Sequence, residues 1–314
     1  MGSWFEDKFE REKIRKYTRR RMNNQFNGFF RKFSVTNWII IVNVIIFFIY
    51  LIIDNILVQY YGGGIENILL SHVAIQPNLF FAGRIWTAFS SMFIHIEFFH
   101  LFVNMFSLFF VGNFVERIIG RKRLFWLYIL SGIFASLFFA FLSYYLGSIC
   151  MAEFLGGCLG AKIFSNPAIP AVGASGAIFA LAGLLAILTP KNRVYLIAGP
   201  LIAIIIQAIV SSIGIFSPIL PTINTIIIIY FIFSIISMLS FNPNIRKIAV
   251  PIEMAFWLLP FIAIVPLVII GLFFPLPIGN MAHLGGLLVG AAYGLYLRKK
   301  YRKKTEIISR MFSK

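Results

Sequence analysis

The chain has 314 residues, of which 60% are hydrophobic and only 12% are charged, and this balance excludes an ordinary soluble domain. Its 28 Lys and Arg residues outnumber 11 Asp and Glu residues. These cations flank the apolar stretches, so the positive charge does not indicate a nucleic-acid partner. We expect the lipid bilayer to surround most of the chain.

Apolar runs long enough to cross a bilayer recur along the sequence, separated by basic segments and by Gly and Pro. A helix needs about 20 residues to cross a hydrocarbon layer about 30 Å thick. The expected fold class is therefore an all-α polytopic membrane protein with about eight spans. We predict these spans at residues 38–58, 98–115, 124–146, 174–189, 194–213, 219–240, 252–274 and 282–298.

The positions of the cations predict how the helices are oriented. The termini and alternate loops hold 26 of the 28 Lys and Arg residues, and the opposite loops hold only Arg84 and Lys162. Because cytoplasmic loops are enriched in Lys and Arg, we expect both termini to be cytoplasmic, in a multi-pass protein of the cell (plasma) membrane. Residues 1–33 form a basic segment, either a small unit or a helix on the lipid surface. Residues 34–298 form the transmembrane domain, and 299–314 a basic tail.

Two cysteines, Cys150 and Cys158, lie in one predicted outer loop. They could pair if that loop faces an oxidising compartment. Two cysteines do not make a disulfide framework, so the sequence leaves their pairing open.

A few polar side chains lie in or beside the predicted spans, where they are costly and usually functional. His100, Asn104, Ser175 and His283 all fall near the outer ends of their helices. Because the topology was derived from Lys and Arg alone, this common depth is independent support for a single site.

Ser175 lies in the sequence Gly173-Ala174-Ser175-Gly176, at the start of a predicted helix. Small neighbours let a substrate approach the hydroxyl group, and the first turn of a helix offers free N–H groups to a developing oxyanion. These features favour a nucleophilic serine. Small residues at helical spacing could instead serve helix packing.

His283 begins the last predicted span, and Gly286 and Gly290 give that helix a small-residue face. If this face packs on the Ser175 helix, His283 can act as general base and then as general acid. No Asp or Glu lies in its span, so the expected unit is a dyad. A single histidine in a membrane could also be a structural hydrogen-bonding group or part of a proton relay.

His100 and Asn104 are four residues apart and therefore share one helix face, where both can donate hydrogen bonds to an oxyanion. His95, at the loop end of this helix, is a supporting residue that orients the loop. Three histidines could suggest zinc, but no HExxH pattern or cysteine cluster is present. We therefore expect no metal and no other cofactor.

Taken together, these motifs resemble the rhomboid family of intramembrane serine proteases. The resemblance is carried by His95-xxxx-His100-xxx-Asn104, Gly173-Ala174-Ser175-Gly176 and Ala282-His283-xx-Gly286, and it extends to Trp86, Thr87, Ser91, Met92, Phe93 and Gly112-xxx-Glu116-xxx-Gly120. It covers most of residues 80–189 and 279–295.

The resemblance implies a dyad of Ser175 and His283 that cleaves transmembrane protein substrates near the outer membrane face. It implies that His100, Asn104 and the Ser175 amide bind the oxyanion, and that Glu116 is a buried scaffold residue.

Three features depart from the family pattern. The first loop reads Trp86-Thr87 where many members have Trp-Arg, and Arg84 could substitute. Phe179 replaces a Tyr that stacks on the catalytic histidine; its ring can stack but cannot donate a hydrogen bond. Residues 194–274 supply three spans where the six-helix core has one, which adds two spans between the Ser helix and the His helix.

Two other functions compete with proteolysis. A catalytically silent relative would bind client membrane helices, but retention of both Ser175 and His283 argues against it. A transporter would suit eight spans, but it predicts ionisable groups in mid-span and an internal repeat, and the sequence has neither.

Overall fold

The computed structural model describes residues 33–61, 66–149, 153–154, 157–199, 202, 206, 220–238, 240, 242–273 and 279–311. The predicted N-terminal segment, 1–33, lies outside these residues apart from Phe33. Cys150 and the loop before residue 279 lie outside them as well.

Most of the described chain is helical. The helices are α1 Val35–Tyr61, α2 Glu66–Val73, α3 Pro77–Phe81, α4 Thr87–Ser90, α5 Phe98–Ile119, α6 Arg121–Tyr145, α7 Leu159–Phe164, α8 Ser175–Leu188, α9 Leu220–Met238, α10 Pro243–Arg246, α11 Leu259–Phe273, α12 Asn280–Lys300 and α13 Arg302–Met311. Among the described residues, four segments are long and apolar enough to cross a membrane: α1, α5, α6 and Phe256–Phe273, which contains α11. The fold is therefore that of a helical membrane protein.

Two short antiparallel strand pairs interrupt the helices in the described part of the chain. Strands β1 (Glu153–Phe154) and β2 (Gly157–Cys158) pair in the loop between α6 and α7. Strands β3 (Arg193–Ile197) and β4 (Pro251–Ala255) pair antiparallel, with Tyr195 opposite Glu253. The second pair brings together two loops that are more than fifty residues apart in the chain.

The strands correct two predicted helix boundaries. Residues 194–197 and 252–255 were predicted to begin membrane helices, but they lie in β3 and β4. Their β-branched and aromatic residues fit a strand as well as a helix, and pairing between the two segments decides in favour of the strand. The rest of the span predicted at 194–213 lies largely outside the described residues. Within the predicted basic tail at 299–314, residues 299–300 complete α12 and Arg302–Met311 form α13.

Helix α8 lies in the centre of the bundle and is buried along most of its length. It packs closely on α12 through glycines. A β-carbon on Gly286 would overlap the carbonyl oxygen of Gly176, and one on Gly290 would overlap that of Ala180. Only glycine at these positions allows the two backbones to touch, and this contact sets the relative position of Ser175 and His283.

The start of α1 is held by a carboxylate from α5. Glu116 is 8% exposed and accepts hydrogen bonds from the amides of Val35 (3.0 Å) and Thr36 (2.9 Å) and from the Thr36 hydroxyl (2.8 Å). It also pairs with Arg121 (3.3 Å). A β-carbon on Gly112, one turn earlier, would lie 2.6 Å from the Thr36 methyl group. Glu116 is therefore a scaffold residue, as expected, and caps a neighbouring helix.

Replacing Glu116 with glutamine is expected to lower the melting temperature in detergent by about 5 °C or more, because buried donors lose a charged acceptor worth roughly 2 kcal/mol. Glu253→Gln is the matched control, since that carboxylate pairs with Arg193 at the surface and is 40% exposed. Thermal unfolding of both variants is the measurement. Equal melting temperatures for the two variants would contradict the capping role.

Candidate active site

Ser175 is the first residue of α8, and the preceding loop is held firmly. Gly173 has φ +116°, a conformation that favours glycine, and its amide donates to the Ser91 carbonyl (2.9 Å). The Ala174 amide donates to Nε2 of His95 over 3.5 Å. These contacts fix the loop that presents the Ser175 hydroxyl.

His283 lies in the first turn of α12, and its Nε2 is 2.8 Å from Oγ of Ser175. In the tautomer that carries its proton on Nδ1, the hydroxyl donates to Nε2. This is the arrangement a histidine needs to remove the serine proton. The structure thus brings together the two residues that the sequence singles out, although 108 positions separate them.

One face of the His283 ring is covered by an aromatic side chain. The ring of Phe179 stacks on the imidazole, with centroids 4.4 Å apart and planes inclined by 15°. Nδ1 of His283 is buried and has no hydrogen-bond partner among the described residues. The observed unit is therefore a Ser–His pair without a carboxylate, held in orientation by stacking.

His100 and Asn104 lie beside residues 173–174, the serine loop that leads into Ser175. A β-carbon on Gly173 would be 2.7 Å from Cε1 of His100 and 3.8 Å from Nδ2 of Asn104. Asn104 is buried, and its amide group donates to the His100 carbonyl (2.9 Å). One amide proton of Asn104 satisfies its own helix, and the other remains for a ligand.

The backbone amide of Ser175 is a further hydrogen-bond donor at the site. The first amides of a helix have no partner within the helix, and the described part of the chain supplies no acceptor to the Ser175 amide. Together with His100 and Asn104, this amide can stabilise negative charge next to the Ser175 hydroxyl.

His95 has a different role from His100. It is fully buried, and its ring lies 5.1 Å from that of His100. Burial, and to a lesser extent the charge of His100, lowers the pKa of His95 to about 3. The neutral ring can accept the Ala174 amide, so His95 supports the serine loop.

The loop between α1 and α5 is anchored by Arg84 and Trp86. Arg84 donates to the carbonyl and hydroxyl oxygens of Ser71 (2.7 and 2.9 Å), and the Trp86 indole donates to the His72 carbonyl (2.9 Å). Arg84 thus holds the loop in place of an arginine at position 87.

Three structural features, two at the site and one at Cys158, are not evident from the sequence. The Ser91 carbonyl holds Gly173, and a backbone group has no signature in the residue pattern. Asn280 is buried in the first turn of α12, with its Oδ1 unpaired in the described part of the chain; its spacing of three residues from His283 is the signal that it shares the same face. Cys158 is disulfide-bonded, whereas Cys150 lies outside the described residues.

A metal would need several ligands in one place. Among the described residues, no group of three or more His, Cys, Asp or Glu side chains could hold one.

This chain is similar in sequence to known proteins. The family model for the Rhomboid domain matches residues 82–226 and 227–300. "Inactive RHOMBOID-like protein 8" from Arabidopsis thaliana is 38% identical over 80 residues, 26% of this chain and 23% of that protein. "RHOMBOID-like protein 12, mitochondrial" from the same plant is 30% identical over 131 residues, 42% of this chain and 38% of that protein. The alignments span well under half the length of these curated relatives. Because the family match covers most of the chain, including the residues around Ser175 and His283, this protein belongs to the rhomboid family.

Proposed function

We propose that this protein is a serine endopeptidase that cleaves transmembrane protein substrates near the outer membrane face. The observation that carries the proposal is the 2.8 Å contact between Oγ of Ser175 and Nε2 of His283, at the start of a helix and beside two side-chain donors. This arrangement supports acyl transfer.

The proposed reaction has two halves. Oγ of Ser175 attacks the substrate carbonyl carbon while Nε2 of His283 takes the hydroxyl proton. The resulting oxyanion is held by His100, Asn104 and the Ser175 amide; the C–N bond then breaks, and His283 gives its proton to the leaving amine. Water next attacks the acyl-enzyme and passes a proton to His283. Release of the carboxylic acid returns that proton to Ser175.

A fluorophosphonate probe tests whether Ser175 is an activated nucleophile. Attack of Oγ on phosphorus expels fluoride and leaves a stable adduct, so we expect one probe per chain, mapped by mass spectrometry to the peptide that contains Ser175. Heat-denatured protein is the control and should not react. Labelling of the denatured protein at the same rate, or no labelling of the folded protein, would count against the proposed nucleophile.

The proposed oxyanion role of Asn104 predicts that its removal slows catalysis. Asn104→Ala is expected to lower kcat by about 100-fold with little change in KM, because this donor acts mainly on the transition state. Asn113→Ala is the matched control: it lies on the same helix and makes the same bond to the carbonyl four residues back, at 2.7 Å. Steady-state cleavage rates of the two variants should separate, and equal losses would contradict an oxyanion role.

A catalytically silent, client-binding protein is the second candidate, and the similarity to a relative called inactive favours it. Such a protein has no need for a serine hydroxyl in contact with a histidine. It predicts that a substrate helix is bound but not cut and that the fluorophosphonate probe does not react.

We also propose a topology with a rhomboid-like six-helix core, two additional spans and cytoplasmic termini, in the plasma membrane. Helix α11 packs against α8 and α12, which supports it as the core helix between the Ser and His helices. Helix α9 instead contacts α5 through Phe231 and Phe99, whose rings are 4.6 Å apart, so it supports the view that the additional spans lie earlier in 194–274. A cysteine introduced as Lys314→Cys should react with an impermeant maleimide only after cells are permeabilised; reaction in intact cells would contradict this orientation.

A further inference from the structure

A surface pocket lies at the end of α12 opposite the proposed active site. Its volume is about 400 Å³. It is formed where the last turns of α12 meet the first turns of α13. Five residues line it: Leu295, Arg298, Lys299, Arg302 and Glu306.

The pocket carries an excess of positive charge. Arg302 is neutralised by Glu306, with Nε 3.0 Å from Oε1. No ion pair is formed by Arg298 or Lys299 within the described part of the chain. Two cations without a counter-charge, facing one concave surface, favour an anionic ligand that can accept several hydrogen bonds.

The pocket and the Ser175–His283 dyad lie near opposite ends of α12. Both Arg298 and His283 lie on α12, and at 1.5 Å per residue the helix places them about 22 Å apart along its axis. That distance approaches the thickness of the bilayer hydrocarbon. If the dyad lies near one membrane face, as in the proposed function, the pocket lies close to the opposite face, where lipid headgroups are found.

Helix α13 has the exposure pattern of a helix that lies in this headgroup layer. Ile307 and Met311, one turn apart, are 59% and 68% exposed, while Thr305 is buried against the bundle. An exposed apolar face on a basic helix that directly follows a membrane helix is typical of an interfacial helix. Leu295, 55% exposed, gives the pocket an apolar wall on the side of α12.

We propose that this pocket binds the headgroup phosphate of an anionic phospholipid. Arg298 and Lys299 donate to the phosphate, Arg302 remains paired with Glu306 at the rim, and Leu295 contacts the lipid chains. Basic pockets beside membrane helices favour such lipids through charge and hydrogen bonding together. The apolar wall distinguishes a lipid from free phosphate as the ligand.

Native mass spectrometry of the full chain in neutral detergent tests the proposal. Phosphatidylglycerol, phosphatidylcholine and inorganic phosphate are each added to the wild type and to two double variants. The pocket variant is Arg298→Gln with Lys299→Gln. The matched control is Lys303→Gln with Lys304→Gln, which removes the same charge from exposed positions outside the pocket lining.

We expect the wild type and the control to retain one phosphatidylglycerol, and the pocket variant to bind it at least about tenfold more weakly. The melting temperature of the pocket variant in phosphatidylcholine alone should equal that of the wild type, which excludes misfolding. Equal retention by both double variants, or equal retention of phosphatidylcholine, would overturn the site. Displacement of the lipid by an equal concentration of inorganic phosphate would overturn its assignment to a lipid.

Discussion

Replacing His283 with alanine is expected to lower kcat for cleavage of a single-span substrate by about 100-fold or more, because in the proposed mechanism Ser175 loses the base that removes its proton and the acid that protonates the leaving amine. The 2.8 Å contact with Ser175 Oγ and the stacking on Phe179 fix the imidazole for both steps. Single-turnover cleavage of the variant in liposomes measures the loss.

The matched control for this variant is His72→Ala. His72 is an exposed histidine on α2, and its side chain contacts only nearby groups of its own helix. Its removal should leave kcat within about twofold of the wild type. If both histidine variants cleaved equally well, His283 would have no catalytic role.

Replacing Gly290 with alanine is expected to destabilise the protein by more than about 3 kcal/mol, because the new methyl group would overlap the Ala180 carbonyl and force α8 and α12 apart. The neighbour is backbone and cannot move aside as a side chain could. Thermal unfolding in detergent measures the effect, and activity should fall with it because the same contact aligns Ser175 with His283.

Gly271→Ala is the control for this substitution. A β-carbon at Gly271 would meet no atom within 4 Å, and alanine favours a helix over glycine by about 0.5–1 kcal/mol. The stability of this variant should therefore be unchanged or slightly higher. A Gly290 variant as stable as the Gly271 variant would show that the close approach of the two helices does not hold the fold.

The sequence predicts most helices because a helix that crosses the bilayer must be apolar over about 20 residues. Apolar runs near residues 98 and 124 become α5 and α6 within a few residues of the predicted starts. The start of α1 depends on a distant residue, since the carboxylate that caps it lies about eighty positions away on α5. Periodicity within one segment cannot reveal such a partner.

Strands β3 and β4 show where apolar composition does not predict a helix. Arg193–Ile197 and Pro251–Ala255 are apolar enough to be read as the beginnings of membrane helices. Each becomes a strand because its backbone groups pair with the other segment. Distant pairing of this kind overrides local preference.

The candidate site is more predictable than these boundaries, because polar side chains in a membrane are few. A common depth identified Ser175, His283, His100 and Asn104, and the structure brings them around one loop. The backbone supports were not predictable, since the Ser91 carbonyl that holds Gly173 has no counterpart in the residue pattern.

Cleavage of a generic single-span protein in liposomes, compared between the wild type and Ser175→Ala, tests the proposed protease activity most directly. The proposal predicts two fragments with the wild type and none with the variant, while the melting temperatures of the two proteins stay equal. Cleavage by the variant at the wild-type rate would contradict the assignment of Ser175 as the nucleophile.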